Sequence, residues 1–355
     1  MFEAGHVVLA TGCSSPHNHN MDHLSGPAYL DTPWPIRLVD DAVASGAASP
    51  TVAVIGTGLT GIDVVKHIVQ THPGANIVFA SRRGRFPPIH RNPSAPAPSS
   101  FTLRAATPQA VDALGDTVTL AQAEALVKQE VEAWCEKQVN WGKIESCRDG
   151  VEELRRNITR YHAADAVPWQ MALGLLQGYE VVAKMWRKLD EADKAKLFTS
   201  GAYQTLQLFS NPMPIVSAEF LLREIQGGKI KTRRGLEKIE RDQGGGFSLH
   251  FGGGEGESER VHVDVVVNAT GVEHSFTHAS PLLQSLASAG HLQPHPHGGV
   301  VCDRGSMSVG PHLYALGHAV RGACLMTSSA PLAAALASSC AQDLAEHIPL
   351  PPAST

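Results

Sequence analysis

Apolar residues recur along this chain with two periods, and the elements alternate accordingly. Val52 to Ile55 form an unbroken β-branched run, as a strand buried on both faces requires, and Asn76 to Ala80 read the same way. Between them Ile62, Val65 and Ile68 recur at three-residue steps, which predicts a helix. Gly5 to Gly12 read as a short buried strand running into a glycine turn, and Leu313 to Gly317 read as a late buried strand. Helical spacing extends over 119–138, 148–161, 167–187 and 190–199, which predicts a helical insertion over about 105–215. Its tryptophans, Trp134, Trp141, Trp169 and Trp186, fit core positions better than cofactor stacking.

Pro212-Met213-Pro214 mark a boundary, and Ser217 caps a helix running to Glu224. Lys229 to Thr232, Leu236 to Arg241, Phe247 to Phe251 and His262 to Val267 alternate with glycine-rich turns, which predicts an antiparallel excursion. Ser329-Ala330-Pro331 start a last amphipathic helix with Leu332, Leu336, Cys340 and Leu344 on one face, and the Pro-rich tail Pro349 to Thr355 frays.

Composition narrows the class. The 355 residues are 43% hydrophobic and 18% charged, with a net charge of −5, which fits a globular protein and gives no support for a nucleic-acid partner. Basic residues cluster only at Arg82 to Arg91 and Lys229 to Arg234. Six cysteines show no C-x-x-C pair, so they read as reduced thiols of a cytoplasmic protein. The start has neither a basic region nor an apolar run, and no stretch reaches the ~18 apolar residues of a spanning helix, so no membrane partner is expected. His17, His19 and His23 lie close in sequence, but with no fourth ligand and no element to fix the rings we expect no metal.

The chemistry concentrates where the first strong strand ends. Gly56-Thr57-Gly58-Leu59-Thr60-Gly61 follows it with the spacing G-x-G-x-x-G and opens the helix. In such a unit the first glycine makes the tight turn, the second leaves room for a pyrophosphate, and the third lets helix and strand pack closely. After the second strand, where an NAD-selective unit carries an acid, the chain reads Ser81-Arg82-Arg83-Gly84, and an arginine pair there suits a 2′-phosphate. NADP is the expected cofactor. Ala10-Thr11-Gly12 and Ala269-Thr270-Gly271 end two further strands in the same way. No catalytic side chain stands out.

Two Ala-Thr-Gly strands around a G-x-G-x-x-G unit, with a strand-glycine-helix ending at Gly317, resemble the two-dinucleotide-fold flavoproteins. The stretch Val54 to Asp63, the Ser-Arg-Arg-Gly turn, Pro87-x-x-His90, and Leu316-Gly317 before Arg321-Gly322 narrow the resemblance to bacterial FAD/NAD(P)-binding proteins of the FAD-dependent urate hydroxylase group. The resemblance implies an α/β fold with interleaved segments. These are a partial FAD-type domain in 1–45, an NAD(P)-binding domain in 46–275 holding the helical insertion, and a second FAD-type segment in 276–355. It also implies FAD beside Thr11, Gly12, Thr270, Gly271 and Gly317, and a flavoprotein oxidoreductase or monooxygenase acting on a small molecule. The alternative is a nicotinamide-nucleotide-binding partner subunit or remnant without flavin chemistry of its own. The sequence departs from the group in three places. No strand-G-x-G-x-x-G-helix precedes the first Ala-Thr-Gly, His318 stands where many members carry Asp, and a basic run near Phe209 to Pro212 is missing. The FAD-type fold is therefore expected to be incomplete, to bind FAD weakly by itself, and to offer an edge to a second copy or a partner chain.

Overall fold

The computed structural model describes residues 4–12, 21–45, 47–95, 102–136, 138–141, 149–165, 176, 180–252, 258–272, 275–325, 327 and 330–347. His17, His19, Trp169, most of the helix expected over 167–187, Ser329 and the tail Pro349 to Thr355 lie outside them.

Strand β1 spans Val7–Leu9, β2 Tyr29–Leu30 and β3 Thr51–Ile55, with helix α1 at Arg37–Ala44 and α2 at Leu59–Thr71 on either side of β3. Strand β4 spans Asn76–Ser81, β5 Ile230–Arg234, β6 Leu236–Arg241, β7 Phe247–Phe251, β8 Glu259–Val263, β9 Val265–Asn268, β10 Ser308–Gly310 and β11 Leu313–Ala315. Five of these form a Rossmann-type parallel sheet in the order β2-β9-β3-β4-β5.

Side-chain alternation explains the layers. Val52, Val54, Ile77, Phe79, Val265 and Val267 point to one face, where α1, α2 and the helix Ile215–Gln226 cover them. Ala53, Ile55, Val78, Ala80 and Val266 point to the other, where the antiparallel sheet β6-β7-β8 supplies Ile239, Phe247, Leu249, Phe251 and Val263. Phe79 and Phe247 are wholly buried, each contributing about 2 kcal/mol or more of apolar burial.

Three expectations for this region change. Lys229 to Thr232 do not join the antiparallel excursion, because β5 pairs in parallel with β4 and extends the main sheet. The stretch His262 to Val267 is divided between two sheets by Asp264, whose N–H donates to Thr51 O (2.8 Å) and whose Oδ2 accepts from Thr51 N (2.7 Å). The helix expected from Ser217 begins at Ile215 with Pro214 at its N-cap position. Ser217 is buried instead and accepts from Lys66 Nζ at 3.1 Å.

The insertion comprises helices Pro108–Ala113, Leu120–Cys135, Gly150–His162, Glu180–Lys188, Glu191–Thr199 and Ala202–Ser210. Trp186, Met185, Leu126 and Leu197 share one core, and Trp134 is buried with Val131. Glu130, wholly buried, accepts from the backbone N–H groups of Arg104, Ala105 and Ala106 and from the Trp134 indole, which satisfies a carboxylate that burial alone would penalise. Leu154 of Gly150–His162 packs into the core of the main sheet instead, so this helix serves the nucleotide-type fold directly.

A separate three-stranded sheet runs β1-β11-β10, with β1 and β11 parallel. The expected burial of the opening strand is wrong for two of its residues. Val7 is 43% exposed and Val8 40%, and Leu9 alone is buried, because β1 pairs on one side only among the described residues. Leu336 and Cys340 of the helix Ala330–His347 close this smaller core, with Leu332 and Leu344 packed beside them as the spacing predicts.

Candidate functional site

Strand β3 lies between β9 and β4 in an all-parallel sheet, so its carboxyl end is the point where the strand order reverses. A crevice outside such a point is where open α/β sheets bind ligands. The three glycines of the turn meet three environments. Gly56 has φ +106°, and a Cβ there would sit 2.6 Å from Ala269 O. At Gly61 it would sit 1.9 Å from Gly56 O, so helix and strand touch backbone to backbone. At Gly58 nothing lies within 4 Å. The first and third glycines are required by packing, whereas nothing in the protein itself occupies the space at the second.

Helix α2 starts at that open position with Gly58 as N-cap, no side-chain cap and no acid in its first turn. The helices starting at Arg37, Ala202 and Ile215 also lack side-chain caps, whereas those starting at Pro108, Leu120, Gly150 and Glu191 carry them from Thr107, Thr119, Asp149 and Asp190. An uncapped N-terminus presents its first N–H groups and partial positive charge to an anion. Leu59 and Thr60 form the first turn, with Leu59 partly exposed.

Thr57, expected to touch the cofactor, is buried and works as a brace. Its hydroxyl donates to Arg85 O at 2.6 Å and lies 3.1 Å from Ser81 Oγ, which accepts from Gly84 N at 2.9 Å. The loops after β3 and β4 are thereby held together. Arg82 and Arg83 are exposed beyond them, and Arg83 Nη2 donates to Gly201 O at 3.4 Å. Arg85 is neutralised by Glu153 at 3.0 Å, which anchors the helix Gly150–His162 beneath the turn. Sequence reasoning missed Arg234. Its strand register sets it opposite Ser81, and a Cβ on Gly84 would sit 2.6 Å from Arg234 Cβ. The signal was present as the second basic cluster, but only the pairing of β4 with β5 brings the two clusters together.

Beyond β9, Ala269 N donates to Ile55 O at 2.8 Å, and both Thr270 N and Thr270 Oγ1 donate to the buried Asn268 Oδ1 (3.1 and 2.7 Å). Gly271 follows at φ +106° with open space around it. These residues stand beside the glycine turn. Thr11, Gly12 and Gly317 do not. They end β1 and β11 of the smaller sheet, where Leu316 N donates to Leu9 O at 2.9 Å, and Gly12 and Gly317 have φ +72° and +66° with nothing within 4 Å. His318 beside them is held neutral, its pKa pushed down to about 4 by burial and then by the Arg321 guanidinium. Among the described residues no group of His, Cys, Asp and Glu could hold a metal ion, and no helix is long and apolar enough to cross a membrane.

No protein-family model matches the chain, and no curated protein matches it. Solved structures do. Ornithine hydroxylase from Pseudomonas aeruginosa in its reduced form is 14% identical at a TM-score of 0.45, covering 97% of this chain and 62% of its own. The FAD-bound cadaverine monooxygenase of desferrioxamine biosynthesis from Erwinia amylovora is 12% identical at 0.47, covering 99% and 63%. Thioredoxin reductase from T. acidophilum is 11% identical at 0.40, covering 97% and 65%. The chain thus spans less than two thirds of the length of each.

Proposed function

We propose that the chain binds NADPH at the β3–α2 turn and serves an NADPH-dependent flavoprotein oxidoreductase of the monooxygenase type, acting on a small molecule. The observation that carries the reading is the contrast within the glycine turn: two positions closed to any side chain, and between them an open one at an uncapped helix N-terminus. Gly58 and the first turn, Leu59 to Gly61, would hold the pyrophosphate, and Arg82, Arg83 and Arg234 would hold the 2′-phosphate. NADPH supplies a hydride, for which a flavin is the acceptor the resemblance implies. Gly12 and Gly317, with open backbone at the ends of neighbouring parallel strands, suit the close approach of such a second group, as does Thr11 beside Gly12, while Thr270 and Gly271 would border the cofactors from the side of the glycine turn. Ornithine hydroxylase and cadaverine monooxygenase, to which the chain is similar, belong to this reaction class. The narrower likeness to the urate hydroxylase group rests on sequence motifs alone.

The small size of the second sheet favours an alternative, a nucleotide-binding chain that does no flavin chemistry by itself and pairs its exposed β1 edge with a partner. Calorimetric titration with NADPH and NADH tests the main reading, and NADPH should bind more tightly. Gly58→Val should abolish binding while leaving the melting curve in place. Equal affinity for the two nucleotides, or unchanged binding by Gly58→Val, overturns it. Stoichiometric FAD on the purified chain decides against the alternative.

A further inference from the structure

A cavity of about 210 Å³ shares no residue with the nucleotide turn and is lined among others by Trp186, Arg187, Lys194, His295, Cys302 and Arg304. Cys302 forms part of its wall. Cys324, at the end of the short helix Arg321–Cys324, lies directly behind and is only 1% exposed. Both cysteines belong to the core of the smaller sheet, and each thiol shifts the other's pKa, in opposite directions, although 21 residues separate them in sequence.

The backbone around them is pinned. Gly322 N donates to Gly298 O (2.8 Å), Val300 N to Ala319 O (2.7 Å) and Trp186 Nε1 to Gly322 O (2.8 Å), and a Cβ on Gly322 would sit 2.2 Å from His295 Nδ1. The segments that carry the two cysteines are therefore held side by side, and both side chains enter the same small core. The charge on the wall is positive. Arg304 interacts with Cys324 and donates from Nη1 to Ala183 O at 3.4 Å, while its Nε is buried with no hydrogen-bond partner. Hydrogen bonding from Cys302, aided by the Arg304 and Arg187 guanidinium groups, brings the Cys324 thiol down to about 7 against the effect of burial. Cys302, which holds the shared proton, is pushed up by the same pairing. Cys324 is thus the more acidic of the two thiols, and Cys302 is the one on the wall of a cavity that admits small molecules.

We propose that Cys302 and Cys324 are a redox-active thiol pair, which a peroxide entering this cavity converts into an intramolecular disulfide. The shared proton crosses to Cys324, leaving the thiolate on Cys302 at the cavity wall. This sulfur attacks one peroxide oxygen, the O–O bond breaks, and hydroxide leaves as Cys302 becomes a sulfenic acid. The Cys324 sulfur then attacks the Cys302 sulfur, the S–O bond breaks, and the departing oxygen leaves as water with the remaining protons. Two thiols and one hydrogen peroxide give one disulfide and two waters. The sulfurs lose two electrons and the peroxide gains them. Arg304 stabilises the thiolate and the departing oxygen.

The test uses the full chain, reduced, treated with hydrogen peroxide at pH 7, quenched by alkylation and mapped by mass spectrometry. A linked Cys302–Cys324 peptide should form and disappear with dithiothreitol, while Cys135 and Cys340 stay alkylatable. Cys324→Ser should strand Cys302 as a sulfenic acid that dimedone traps. Arg304→Gln should slow oxidation roughly tenfold through loss of thiolate; Arg187→Gln gives a milder slowing and replaces it if Arg304→Gln fails to fold. If both cysteines stay singly alkylatable at a peroxide dose that oxidises free cysteine, the proposal is overturned. An unchanged rate in a folded Arg304→Gln variant overturns the part given to the guanidinium.

Discussion

Strands β9 and β1 both run into Ala-Thr-Gly, yet every residue of β9 is buried while two of the three residues of β1 are exposed. Strand β9 is paired on both sides, by β2 and β3, and its alternate side chains are covered by α1 and α2 on one face and by β6-β7-β8 on the other. Strand β1 pairs with β11 alone among the described residues. The signature reports how the chain leaves a parallel strand. Neighbours decide what that exit can support: at β9 it packs against a glycine turn that no side chain could replace, and at β1 it opens on free space.

The comparison breaks most sharply at Gly61. Gly61→Ala drives a methyl to within 1.9 Å of Gly56 O, and a loss of about 4 kcal/mol in stability is expected by denaturant titration, with nucleotide binding lost as well. Next comes a test by pH in the smaller unit. His318 titrates near 4 in the folded chain, below its unfolded value of about 6.5, so protons favour the unfolded state. Its contribution is complete above about pH 6.5 and is lost as pH falls towards 4, amounting to about 3 kcal/mol. The difference in stability between wild type and His318→Gln should shrink accordingly over that window. Replacing Arg82 and Arg83 together by alanine should cost NADPH about 2 kcal/mol, roughly thirtyfold, and leave NADH binding in place; Arg234→Ala should add to the loss. The smallest effect belongs to Gly12→Ala. With open space around it, the cost is the positive φ alone, about 1 kcal/mol.

The central βαβ unit was legible because its information is local. A β-branched run, three glycines and a three-residue period specify strand, turn and helix without reference to distant residues. Thr57 was legible as part of the turn but not in its role, since its partner Arg85 O comes from the next loop. Long-range pairing hid the rest. Arg234 joins the arginine turn only through β5, and Asp264 divides one apolar run between two sheets through its bonds to Thr51, 213 residues away. Cys302 and Cys324 match no spacing motif, because the turn at Gly298 and the helix at Arg321 bring them together. Trp134 and Trp186 were rightly placed in the core by size and apolar spacing, whereas the burial of Val7 and Val8 was misjudged because β-branched residues read alike on an edge and in a centre.

The brace at Thr57 bears on how long a nucleotide stays. It ties the two loops that would flank the ligand to each other, through a side chain that is itself buried. A loop ordered before its ligand arrives recovers no chain entropy when the ligand leaves. Residence time would then follow the phosphate contacts alone, and NADPH and NADH would differ in how fast they depart far more than in how fast they arrive.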